Sequence, residues 1–135
     1  RRRRMWIRDS GSGDSVVLLS ALEDPEPDVQ WNAAVALARH GKGDGVTVLR
    51  RMLDRDYVAR IVTRSPALNA ALDPISEVMV SGLQAVGSLE LAELSEQVTA
   101  LSQDDVSLGV REAALRTLAM LGTGIKPSVA LRHLE

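Results

Sequence analysis

Apolar residues recur along this chain at three- and four-residue spacings, and no stretch sustains the strict alternation of a half-buried strand. After Ser10-Gly-Ser-Gly13, Asp14 or Ser15 is placed to cap a short helix carrying Val16, Val17, Leu18, Leu19 and Leu22. Asp24-Pro-Glu-Pro-Asp28 ends it. Pro27 then suits the first turn of a second helix, where its missing N–H costs nothing. That helix runs to His40 and stops at Gly41, a left-handed terminator. Val29, Ala33, Ala36 and Leu37 form one apolar face of it, and Trp31, Ala34, Val35 and Ala38 form another. A helix apolar on two sides is predicted to lie between neighbours.

The pattern continues through Val46, Leu49 and Leu53, then loses regularity from Asp54 to Asp73, with at most a turn at Ser65-Pro66. Asp73-Pro74 starts a helix with Ile75, Val78, Met79, Leu83 and Val86 inside, ending at Gly87. Leu91, Leu94, Val98 and Leu101 mark the next. Asp104 or Asp105 is predicted to cap a helix burying Val110, Ala114, Leu118 and Leu121, ended by Gly122, and a last short one begins at Pro127. The chain reads as all-α.

Aligning Gly41, Gly87 and Gly122 exposes an internal repeat. Val29, Ala33 and Leu37 match Ile75, Met79 and Leu83, and also Val110, Ala114 and Leu118. No single unit can bury its own apolar face, so stacked antiparallel helix pairs are the expected solution. The run Asp24-Pro-Glu-Pro-Asp-Val-Gln-Trp-Asn-Ala-Ala-Val-Ala-Leu-Ala-Arg-His-Gly41, with Val46-Thr-Val-Leu-Arg-Arg-Met-Leu-Asp54 after it, resembles the HEAT repeat. It is most similar to the bacterial HEAT-like repeats first noted in phycobilin lyases. The resemblance covers most of residues 14–122 and implies an α-solenoid whose second helices line a concave, protein-binding surface. The expected organisation is a disordered or vector-derived tail (1–13), then an array (14–122), then a short C-terminal helix and tag remnant (123–135). Within the array lie a helix (14–23), a repeat (24–54), an insertion (55–72) and two further repeats (73–102 and 104–122).

Composition narrows the function. The 135 residues are 45% apolar and 25% charged, with no cysteine, which removes disulfides, thiolate metal sites and cysteine nucleophiles. The longest apolar run, Ala33–Ala38, is far too short to span a membrane, and no signal-peptide pattern precedes it, so a cytoplasmic protein is expected. Residues 1–64 carry twelve Lys or Arg against nine Asp or Glu, and residues 65–135 four against nine. The Arg1–Arg4 quartet accounts for much of that asymmetry. What remains is local: Arg50, Arg51, Arg55, Arg60 and Arg64 with only Asp54 and Asp56 between them, opposed by Glu90, Glu93 and Glu96.

Catalytic chemistry has little to stand on. Gly41-Lys-Gly-Asp-Gly45 lacks phosphate-loop spacing and joins two helices. His40 and His133 belong to no triad or metal pattern. The iron-binding His-Glu pairs of the HEAT-like deoxyhypusine hydroxylases have no counterpart here. We therefore expect a non-catalytic protein-interaction module with no cofactor or metal. Its candidate contacts are Arg50, Arg51, Arg55, Arg60, Arg64, Asn32 and Trp31, with a homodimer through the terminal repeats. The arginines could grip carboxylates or phosphates with forked contacts, or pair with the glutamates. Trp31 is either an exposed anchor or a packed bridge between helices. Two alternatives stand beside this: phosphate-backbone (nucleic-acid) binding through the Arg50–Arg64 stretch, disfavoured by a pI of about 5.7 and three aromatics, and, from the resemblance, a bilin-lyase-like enzyme or subunit.

Overall fold

The computed structural model describes residues 12–64 and 73–122. Among them are seven α-helices and no strand: α1 (Ser12–Ala21), α2 (Pro27–Arg39), α3 (Val46–Met52), α4 (Arg55–Arg64), α5 (Pro74–Leu89), α6 (Ser95–Asp104) and α7 (Leu108–Leu121). A 3₁₀ turn, Ala92–Leu94, leads into α6. The expected N-terminal tail through Gly11, the turn at Ser65-Pro66 and the helix from Pro127 lie outside the described residues.

Local chemistry sets the ends of α2. Asp24 accepts the Glu26 N–H on its carboxylate (2.8 Å) and the Gln30 side-chain N–H on its carbonyl (2.6 Å), folding the Pro-Glu-Pro bend onto the helix start. Pro27 opens the helix. At the other end Gly41 takes φ +75° and the Lys42 N–H reaches back to the Leu37 carbonyl (2.8 Å), closing the last turn. Between these ends the two apolar faces enter two separate cores. Ala33 and Leu37 join Leu18 of α1 in a small cluster, with Ala36 and Leu22 at its edge. Trp31, Ala34 and Ala38 enter the main cluster, which runs through α3, α4, α5 and α6 to α7. The sandwiched helix read from the sequence is present.

The main core is organised around α5, which packs against α2, α3, α4 and α7, while α6 covers another side of α7. Asp73 caps α5 through the Ser76 N–H (3.2 Å). Met79, Leu83 and Val86 are fully buried along it, and Thr117 of α7 donates its hydroxyl to the Leu83 carbonyl (3.0 Å) as well as to Ala113 in its own helix. The helices α2, α5 and α7 carry the three matched segments of the repeat, and α5 lies against both of the others.

Three expectations are corrected. Gly87 does not end a helix: α5 runs on to Leu89 and turns at Glu90, which holds φ +54° while the Leu91 N–H closes onto the Val86 carbonyl. Gly87 is instead buried against α7, where a Cβ would stand 2.8 Å from the Met120 sulfur. Residues 55–64 are not irregular but form α4, seated by Val58 and Val62. And α7 is capped by Ser107, whose hydroxyl accepts the Val110 N–H, rather than by Asp104 or Asp105. The first described helix differs too: α1 runs Ser12–Ala21 rather than 14–23, so it takes in the last two residues of the expected tail, Asp14 and Ser15 lie inside it and do not precede it as caps, and only Leu18 of its valines and leucines is buried.

Two glycines of α5 make contrasting predictions. A Cβ at Gly82 would lie 2.9 Å from the Met52 Cβ, an atom that moves only with its backbone. Gly82→Ala is expected to lose about 1–3 kcal/mol through overpacking, more than the roughly 1 kcal/mol of helix propensity it gains. At Gly87 the obstacle is the free end of half-exposed Met120, which can swing aside. Gly87→Ala should stay within about 1 kcal/mol of wild type. Thermal unfolding followed by circular dichroism ranks the two, and a larger loss at Gly87 would contradict the packing.

Candidate interaction surface

Arginine lines the outside of α3 and α4. Arg50 and Arg51 follow Leu49 off the buried side of α3, which sinks Val48, Leu49 and Met52. Arg60 and Arg64 sit one turn apart on α4, on the side away from Val58 and Val62, and all four are exposed. Arg50 meets Glu93 at 3.7 Å, with both side chains about half exposed. An ion pair in water of this kind is worth only about 0–1 kcal/mol, so Arg50 can exchange Glu93 for a partner's carboxylate at little cost. Asn32 is exposed on α2.

Two of the expected contact residues are removed from this surface. Trp31 is buried at 4% exposure and packs edge-on to Tyr57, with ring centroids 6.5 Å apart at 75°. Its position beside the alanine ladder carries it between α2 and α4, where it serves packing. Its indole N–H finds no acceptor among the described residues.

Arg55 is the second. It opens α4 pointing inward, and its guanidinium forks onto Asp105: Nε to Oδ1 at 2.9 Å and Nη2 to Oδ2 at 2.7 Å. Nη2 also donates to the Ser76 hydroxyl of α5 (3.1 Å). The Asp105 side chain is 3% exposed. It further accepts the Ser107 N–H (2.9 Å), while its carbonyl takes Arg111 Nη1 (2.7 Å). Burial alone would raise the Asp105 pKa, but the Arg55 and Ser107 hydrogen bonds and the charges of Arg55 and Arg111 outweigh it and hold the carboxyl below its ordinary value. The hydrogen bond to Asp105 raises Arg55 in turn. This cluster joins α4, α5 and the entry to α7. Asp105 thus supports the fold, and Arg55 is unavailable to a partner.

Sequence reading missed this pair because its members lie fifty positions apart, and it took Asp105, with Asp104, as a candidate helix cap. The large apolar residues left outside lie at the two ends of the helix series: Val16, Val17 and Leu19 on α1, and Leu108, Leu115 and Met120 on α7 with Val106 before it. Among the described residues, no three His, Cys, Asp or Glu side chains gather where they could hold a metal ion, and no helix is long and apolar enough to cross a membrane. No family model matches the chain, and no curated protein or solved structure matches it.

Proposed function

We propose that this chain is a short α-solenoid of HEAT-like helix pairs that binds a protein partner and performs no catalysis of its own. One observation supports this most: the three helices matched in sequence are neighbours in the fold, α5 against both α2 and α7, with α2 apolar on two sides. In this reading α3 is the second helix of the first pair. With α4 it presents Arg50, Arg51, Arg60 and Arg64 toward the partner, and Asn32 adds a polar contact from α2. Four exposed guanidinium groups, one of them weakly held by Glu93, favour an acidic protein surface.

The test is affinity capture from a lysate of the source organism, wild type beside Arg50→Glu/Arg51→Glu and Arg60→Glu/Arg64→Glu. Each variant is first checked by circular dichroism for an unchanged helical spectrum. Arg55 is left intact because it holds the core. One protein recovered stoichiometrically by wild type and lost with either variant is the expected result. Capture indifferent to charge reversal, or none at all, contradicts the assignment. Retention of nucleic acid that weakens steeply with salt would move the function to phosphate-backbone binding.

A further inference from the structure

One helix of the main core leaves a side uncovered. α7 packs on α5 and α6 and sinks Val110, Ala113, Ala114, Thr117 and Leu118. Its other side is exposed and apolar at three large residues: Leu108 at 60%, Leu115 at 49% and Met120 at 52%. Single exposed residues of this kind are ordinary. Here they share one side of one helix with two opposite charges, Glu112 and Arg116, which are also exposed. Neither charge has an ion-pair partner among the described residues.

The order of these residues points to an occupant. Leu108, Glu112, Arg116 and Met120 follow at four-residue steps and form one row along the exposed side. The row reads apolar, acidic, basic, apolar, so its reverse is its own complement. Two copies of α7 laid antiparallel about a two-fold axis at the level of Ala114 put Leu108 on Met120 and Glu112 on Arg116, each contact made twice. The same register sets Gly109 against Ala119, both exposed and small, so the helices can approach closely. Among the described residues nothing requires a glycine at 109, where a Cβ would meet only the Ser107 hydroxyl at 3.6 Å. A parallel, in-register pairing would set like charge on like. At the other end of the helix series, α1 exposes Val16, Val17 and Leu19 but carries no base to meet Glu112.

We infer that the exposed side of α7 is the two-fold interface of a homodimer, with Glu112 of each copy against Arg116 of the other. The inference stands apart from the partner-binding proposal, whose arginines lie on α3 and α4, so either can fail alone.

Sedimentation equilibrium of the wild-type chain and of two charge variants tests it. One helix pair makes a small interface, so the dimer should form at about 100 µM and dissociate on dilution to about 1 µM. Glu112→Arg and Arg116→Glu, each alone, set like charges together twice and should weaken association by at least about tenfold. Both positions are exposed, so the fold should be unaffected. An equimolar mixture of the two variants should recover wild-type association, because opposite charges then meet at both points. Damage to the helix itself would not be repaired by mixing. Wild type that stays monomeric at the highest concentration would leave the face to a different protein. Dimers indifferent to both variants, or not restored in the mixture, would place the interface elsewhere. Growth beyond a dimer would mark head-to-tail stacking. Each of these results overturns the inference.

Discussion

Arg55→Ala is expected to cost about 3–5 kcal/mol of stability at neutral pH, the loss that follows when one member of a buried ion pair is removed. The loss is large because Asp105 stays behind, with a side chain 3% exposed and without the forked guanidinium, leaving the Ser107 N–H and the charge of Arg111 to hold it. Arg55→Lys should recover little, since an ammonium cannot fork onto both carboxylate oxygens while also reaching Ser76. The double replacement Arg55→Met/Asp105→Leu leaves no stranded charge and should fall much closer to wild type than Arg55→Ala. The pH dependence follows from the same pair. In the wild type the Asp105 pKa is lowered, so its contribution is complete above about pH 4 and is lost as pH falls through the lower folded value. Arg55→Ala removes the hydrogen bond and the charge of Arg55 that lower that pKa, so it rises relative to the wild type, and the variant's deficit should shrink on acidification. Urea unfolding at a series of pH values checks both statements, and a deficit constant from pH 7 to pH 4 would contradict them.

Leu83→Ala and Leu37→Ala are each expected to lose about 2–5 kcal/mol locally, as large-to-small changes at fully buried leucines do. They should differ in reach. Leu83 lies in the middle of α5, in the core that α2, α3, α4 and α7 share, so its loss lowers the stability of the whole molecule. Leu37 belongs to the small cluster with Leu18 and Ala33, which joins α1 to α2. Its truncation should release α1 first, speeding amide exchange there while α5 and α7 keep most of their protection. Equal acceleration throughout would mean that the two cores are one cooperative unit.

These contrasts separate what local chemistry writes into the chain from what it does not. The two faces of α2, the Asp73 cap and the positive φ of Gly41 and Gly122 are all legible, because each depends on residues within a few positions of one another. The helix α4 was hidden because only Val58 and Val62 sink fully, and the charges around them resemble a solvated loop. Gly87 was misread because a glycine near a helix end has two uses, a left-handed turn or a close approach, and only the position of Met120 decides between them. Arg55 stood among four exposed arginines with nothing local to set it apart; its partner comes from the other end of the fold. The sequence left Trp31 open between a contact residue and a packed bridge, because the aromatic partner that fixes it as packed, Tyr57, lies on the helix the pattern did not reveal.

The order of helices in the series is tested most directly by nuclear Overhauser contacts from the Hα protons of three glycines in the wild-type protein. Gly45 should see the Ala34 methyl, Gly82 the Met52 side chain and Gly87 the Met120 methyl, linking α2 to α3, α3 to α5 and α5 to α7. A folded protein in which Gly82 is silent toward Met52, or Gly87 toward Met120, would contradict the packing of α5 between its neighbours, and with it the solenoid proposed from that packing.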